Sequence, residues 1–410
     1  MTIRKSFTPV RIGPAILSNR FIRSGANEMM TCGQSPSQAL LAFHERLAAG
    51  GVGMTTLAYV AVSPDGRTFA EQGVMSEASL PHYRAVVDAV HAHGALASAQ
   101  ITHGGSFVQH RELTTPRARS ADGGLDMVGM AMGRLFQQQM TRADMDEIIA
   151  EFVLAAERCR TAGFDAVEIH MGHGYLLNQF ISPLSNHRRD AYGGSAEARV
   201  RFPAEVLKAV KAAVGVHVAV IAKMNLYDGV KGGGTVEDAI VTARALEAAG
   251  ADMLVLSGGR NVESAWAIFN SPLPYADLKK IHRGLKNSLQ FAFLEAITPK
   301  TAVFRELYFL EAARRVRAEV ACAIGYVGGV LGAAAAEQLL DEGFDAIVMA
   351  RALVHEPGLV NRFREDPTGR SHCISCNRCV ATMYTPEGLN CPVSGNDYPQ
   401  VMNQTPATAR

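Results

Sequence analysis

Eight short segments rich in β-branched and aliphatic residues recur along the chain, at 20–25, 53–60, 95–101, 166–170, 218–224, 253–257, 321–327 and 345–350. Segments such as MLVLS and DAIVMA are apolar nearly throughout, the pattern of strands buried on both faces of a parallel sheet. Each segment is followed by apolar residues at three-and-four spacing, the mark of an amphipathic helix. In SLPHYRAVVDAVHAHG and TVEDAIVTARALEAAG this helical pattern stops at a glycine, and Thr235 stands where an N-cap belongs. A β unit alternating with an α unit eight times predicts an α/β fold, the (β/α)₈ barrel.

Two stretches do not fit a plain barrel. The first, about 260–319, is too long for a single helix and reads as an insertion between the sixth and seventh strands. It carries Lys279, Lys280, His282, Arg283 and Lys286 interleaved with Ile281 and Leu285. Either it is a solvated amphipathic helix, or it is a lid or a subunit contact over the barrel mouth; the sequence does not read out the oligomeric state, and a homo-oligomer is compatible with it. The second is a polar tail with Pro and Gly. The expected organisation is therefore a barrel over 1–363 and a Cys-containing tail over 364–410.

Composition narrows the function classes. Of 410 residues, 48% are hydrophobic and 19% charged, which suits a large core and excludes a disordered chain. Forty Lys+Arg against thirty-nine Asp+Glu leave a net charge of +1, so no global field draws the chain to nucleic acid. No apolar run approaches the roughly 18–20 residues that span a bilayer, and the N-terminus lacks a secretory apolar stretch, so a cytoplasmic protein is expected.

Barrel active sites lie at the C-terminal ends of the strands, and here those ends are polar. Gln100 follows the third strand, His170, His173 and Tyr175 the fourth, Lys223 the fifth, Gly328 and Gly329 the seventh, and Arg351 the eighth. Gly328-Gly329 opens a loop into a helix, so its bare N–H groups and Arg351 could receive a phosphate; the alternative is a plain tight turn. His170-x-x-His173 lacks a third ligand for zinc. The two imidazoles could instead donate hydrogen bonds to a substrate oxygen while Tyr175 acts as general acid.

The run EIHMGHGYLLNQFISPLSNHRRDAYGGSAEARVRF, 168–202, resembles the signature of the Old Yellow Enzyme family of flavin-dependent ene-reductases. NRFIRSGA, GVGMTTLAYVAVSPDGR, QITHGG, GGV and ARALVHEP match its other blocks in order, over residues 1 to about 365. The resemblance implies FMN at the barrel mouth, with Gln100 at the pyrimidine end, Lys223 beside N1 and O2, and Gly328, Gly329 and Arg351 on the phosphate. It implies that His170 and His173 bind the substrate carbonyl and Tyr175 protonates the α-carbon. Three positions depart from the family pattern. Gly25-Ala26-Asn27 replaces the usual Pro and Thr or Cys beside the flavin, Tyr59 stands at a usually small position, and Ala350 replaces a Gly.

In the tail, Cys373, Cys376, Cys379 and Cys391 are similar in spacing to the iron–sulfur motif of the 2,4-dienoyl-CoA reductase branch, with the second gap one residue shorter. Within these 410 residues no second flavin domain follows, so a relay cluster would have no donor in the same chain. An iron–sulfur cluster, a structural zinc and four packed thiols all remain compatible with the pattern. The resemblance thus implies an FMN enzyme that uses NADH or NADPH to reduce the activated C=C bond of a small unsaturated carbonyl or enoyl substrate. The alternatives are a flavin-dependent dehydrogenase, a dienoyl-CoA reductase-like enzyme fed by a separate electron carrier, and a non-redox phosphate-binding barrel.

Overall fold

The computed structural model describes residues 4–394 and 405–408; the remainder of the tail assigned to 364–410 lies outside the described residues. Eight parallel strands close into a barrel: β1 (Phe21–Arg23), β2 (Met54–Ala61), β3 (Leu96–Thr102), β4 (Ala166–Met171), β5 (Ala219–Asn225), β6 (Met253–Ser257), β7 (Ala323–Val327) and β8 (Ala346–Met349). Each coincides with one apolar segment of the sequence. β8 pairs with β1 in register Val348↔Ile22, which shuts the barrel.

Around it run α1 (Gln38–Ala49), α2 (Leu80–His91), α3 (Arg142–Ala162), α4 (Ala196–Val214), α5 (Val236–Ala248), α6 (Leu310–Arg317), α7 (Ala333–Asp341) and α8 (Leu359–Glu365). Thr235 caps α5 as expected: its hydroxyl accepts the Asp238 N–H while Asp238 accepts the Thr235 N–H. At the other end of the barrel the hairpin of Val10–Ile12 and Ala15–Leu17 packs Val10, Ile12 and Leu17 against Ile22, Met54, Ala166, Ala219 and Met253. That hairpin covers the N-terminal end of the barrel, opposite the C-terminal mouth.

The 260–319 stretch has two fates. Helices Ala265–Phe269, Tyr275–Ile281 and Leu285–Ile297 lie outside the barrel plan, whereas α6 is the ordinary sixth outer helix, burying Leu310, Ala313 and Val316 and packing on α5. Lys279 of the basic run pairs with Glu295 at 2.7 Å. The tail turns through a short helix, Arg378–Thr382, and doubles back. There the Thr382 hydroxyl donates to the Asn390 carbonyl (2.8 Å) and accepts the Asn390 N–H (3.2 Å). None of the helices among the described residues is long and apolar enough to cross a membrane.

Candidate active site

A cavity of about 270 Å³ opens at the C-terminal ends of the strands. Gly25, Ala26, Asn27, Tyr59, Gln100, His170, His173, Tyr175, Lys223, Ala350 and Arg351 all line it. Gly328 and Gly329 stand in an adjoining cradle, which shares Ala350 and Arg351 with the main cavity. With Ser257 after β6 and Val327 of β7 on the same wall, residues from all eight strand ends meet in one space.

The floor is charged. Lys223 is buried and donates to the Ser24 hydroxyl (2.8 Å) and the Gly25 carbonyl (2.7 Å). Burial pushes its ammonium down from the ordinary lysine value, and Glu168 opposes that shift. Gln100 donates to Glu168 at 2.5 Å. A Cβ on Gly25 would sit 2.7 Å from the Gln100 amide nitrogen, so a larger residue there would displace the Gln100 side chain. Asn27 uses its carbonyl to accept the Met29 N–H at 3.2 Å and sets its amide 3.8 Å from the Met383 sulfur.

Beneath the same floor lies a pair not anticipated from the sequence. Arg23, fully buried at the end of β1, reaches Glu28 at 2.8 Å, and Glu28 also accepts the Ala58 N–H at 2.9 Å. Burial drives the Glu28 carboxyl up to about 7 despite the pull of Arg23. The signal was present as a single charge inside an otherwise apolar strand, followed five residues later by an acid.

The histidines differ from the expected arrangement of two parallel donors. His170 Nε2 lies 2.9 Å from His173 Nδ1, and His173 Nε2 lies 2.8 Å from the Ser257 hydroxyl. The rings therefore form a chain rather than a fork. The cause is the turn after β4, where His173 takes a left-handed φ of 60° and its N–H is held by the Asn225 carboxamide at 3.1 Å. His170 Nδ1 is left buried without a partner. Burial pushes both imidazoles down, His173 to about 3, so both are neutral near pH 7.

Tyr175 packs beside His170 with ring centroids 4.4 Å apart, and against Tyr59 at 5.1 Å and Phe107 at 5.6 Å. Burial pushes its phenol well above the ordinary tyrosine value, while Tyr59 and Asn261, within hydrogen-bonding reach, pull it back. It is a protonated acid at every physiological pH. Ser257, at the end of β6, is one of the polar strand-end residues that the sequence offers, whereas Asn261, a few residues on, was not singled out. Nothing in its local pattern separates Asn261 from ordinary loop polar residues.

The cradle is built on two glycines. Gly328 and Gly329 have φ of +148° and +78°, and a Cβ on either would meet the rings of Phe309 or Tyr308 at 2.9 Å. Arg351 stacks over the rings of Phe269 and Phe304, each 5.4 Å from its centroid.

The tail belongs to this site. Val380, Met383, Tyr384 and Leu389 line the cavity together with Cys379, as do Ile268, Phe269 and Leu273 of the insertion. The four thiols are close enough to bear on one another: Cys379 is pushed up to about 12, first by burial and then by Cys373, Cys391 and Cys376. Yet among the described residues no three His, Cys, Asp or Glu are arranged to hold a metal ion. As placed, the thiols do not fit a cluster or a zinc.

The donor set does fit a flavin mononucleotide: a buried cation and amide at one end, a glycine cradle with an arginine at the other, and an orphaned imidazole nitrogen in the wall between them. The model of the NADH:flavin oxidoreductase / NADH oxidase family matches residues 5–269. A 4,4'-dithiodibutanoate disulfide reductase of Rhodococcus erythropolis is 38% identical over 397 residues, 94% of each chain. An NADH oxidase of Thermoanaerobacter brockii is 30% identical over 90% of this chain, which spans 52% of that longer protein. Among solved structures, the fold is similar to an old yellow enzyme homologue from Zymomonas mobilis, with TM-score 0.70, 20% identity, and 96% and 99% of the two chains covered. It is similar also to 2-naphthoyl-CoA reductase, with TM-score 0.78, 22% identity, and 97% of this chain on 58% of that one.

Proposed function

The chain belongs to the NADH:flavin oxidoreductase / NADH oxidase family and is an FMN-dependent NAD(P)H oxidoreductase; from that premise we propose that it reduces the activated C=C bond of an α,β-unsaturated carbonyl or enoyl compound. The observation that carries this reading is His170, which lines the cavity beside Tyr175 and whose buried Nδ1 has no partner.

FMN bound in the cavity would supply the hydride that goes to the β-carbon. Lys223 and Gln100 would hold its pyrimidine end, and Gly328, Gly329 and Arg351 its phosphate. The protein's own work is to polarise the substrate and move one proton. With the Ser257 hydroxyl donating to His173 Nε2 and His173 Nδ1–H donating to His170 Nε2, His170 Nδ1–H becomes the free donor. It meets the carbonyl oxygen of the substrate, where negative charge develops as the β-carbon is reduced. One donor backed by a relay thus replaces the two donors expected from the sequence. Tyr175 then gives its phenolic proton to the α-carbon, which leaves a saturated carbonyl compound.

A second reading rests on the relative from Rhodococcus erythropolis, which matches along nearly its whole length. In it the S–S bond of an organic disulfide breaks, one sulfur takes the hydride, and the other leaves as a thiolate that takes the Tyr175 proton. Two assays separate the readings. Titration with a phenol should give a long-wavelength charge-transfer band that His170→Ala abolishes. Anaerobic turnover should consume NADH or NADPH with an enone and yield the saturated ketone. Turnover with 4,4'-dithiodibutanoate and none with any enone would replace the first reading with the second.

A further inference from the structure

Asn377 sits in the middle of the cysteine run, yet it is 1% exposed and ties three parts of the molecule together. Its Oδ1 accepts a hydrogen bond from Arg351 Nη1 at 2.6 Å. Its Nδ2 donates to the Ser271 hydroxyl and to the Pro272 carbonyl, both at 2.8 Å, so the orientation of the carboxamide is fixed from the insertion side. Arg351 also donates to the carbonyls of Ser375 (3.4 Å) and Phe269 (3.2 Å). Ser375 itself stands on the wall of the glycine cradle, alongside Gly328, Gly329 and Arg351.

A guanidinium on a flexible stem binds an anion well only when its fork is already aimed, because otherwise ordering the side chain consumes much of the binding energy. The stacking of Arg351 over Phe269 and Phe304 fixes the plane of the fork. The Asn377 carboxamide fixes its rotation within that plane. Asn377 also has φ 59° and ψ 5°, the left-handed conformation that asparagine tolerates better than most residues. Side-chain contacts and backbone preference therefore select the same residue.

We propose that the C-terminal tail completes the FMN phosphate site, with Asn377 as the positioning residue that holds Arg351 toward the phosphate. This rests on the reading of Arg351 as the phosphate-binding cation. It makes tail docking and phosphate recognition one event: an undocked tail leaves the arginine unaimed and the cradle without its Ser375 wall.

The test compares FMN with riboflavin, which lacks the phosphate, by fluorescence titration of apoprotein prepared from the full chain. Asn377→Gly keeps the left-handed backbone and removes the carboxamide. It should weaken FMN binding about tenfold, the worth of one bond to a charged group, and leave riboflavin binding unchanged. Asn377→Asp, which keeps an acceptor but neutralises Arg351 with its charge, should likewise lower the preference for FMN and supplies the answer should the glycine variant not fold. Arg351→Met should abolish the preference altogether. If Arg351→Met loses it while both Asn377 variants keep it, the inference fails alone. Equal weakening of FMN and riboflavin in the Asn377 variants also overturns it, since that is what a merely structural tail would do. If Arg351→Met retains the preference, the phosphate assignment of Arg351 fails, and the inference with it.

Discussion

The buried imidazoles around the site make stability depend on pH in a way that one of them can isolate. His103, at the end of β3, is buried with Nδ1 accepting the Gly105 N–H at 3.0 Å, and burial together with Arg119 pushes it down to about 4. Its folded pKa is therefore depressed below the unfolded value of about 6.5. A base of this kind contributes stability that is fully present above the unfolded value and is lost as pH falls toward the folded one. At pH 5 the unfolded chain has bound the proton and the folded chain has not, so His103 alone costs about 2 kcal/mol relative to pH 7. His173, pushed down to about 3, costs a similar amount. Glu28 and Glu151 run the other way. Burial raises both to about 7, and their contribution grows by about 2 kcal/mol each over the same interval. These four contributions thus nearly cancel, and a variant is needed to read one group. His103→Asn offers an amide oxygen near the Nδ1 position and carries no titrating group. Urea unfolding of wild type and variant at pH 7 and pH 5 should show the variant losing about 2 kcal/mol less on acidification. Identical losses in the two proteins would refute the buried, neutral state assigned to His103.

Two further outcomes follow from the site. Lys223→Met removes the buried cation at the end of the cavity proposed for the flavin pyrimidine. It should shift the two-electron potential of bound FMN about 30–60 mV more negative, the equivalent of one bond to a charged group, measured by dye-linked reduction; an unchanged potential would remove Lys223 from that role. For the tail, a four-thiolate site requires about four irons or one zinc per chain in anaerobically purified protein, and Cys376→Ser would then lose stability along with the metal. Packed thiols, which the placement of the sulfurs favours, require neither metal and a Cys376→Ser variant that melts with the wild type.

The barrel was legible because buried parallel strands read as apolar runs, and all eight segments became strands. β1 is the thinnest, three residues with Arg23 among them, since the chain leaves the sheet at once to enter the cavity floor. The strand-end residues were legible for the same reason: once the strands are placed, the polar residue after each one is at the mouth. What was not legible depends on contacts between distant segments. The His170–His173 spacing put both rings on one loop, but Asn225 and Ser257, from two other strands, set their orientation. α6 was absorbed into the expected insertion because its polar face hides a three-residue apolar stripe among arginines. The tail's place in the cavity wall had no sequence signal, because an irregular polar segment has no periodicity to show which surface it covers. The buried Asn377 with its partners, and the tail residues that line the cavity, reveal where it docks.

In the proposed reaction Tyr175 delivers the proton in the oxidative half-reaction and takes no part in the reductive one. Anaerobic stopped-flow measurement of both halves in wild type and Tyr175→Phe tests it directly, since the substitution removes the hydroxyl and keeps the ring packed on His170, Tyr59 and Phe107. Flavin reduction by NADH or NADPH should be nearly unchanged, and reoxidation by an enone should slow by about 10²–10⁴-fold. An equal loss in both half-reactions, or reoxidation by the enone at the wild-type rate, would contradict the account.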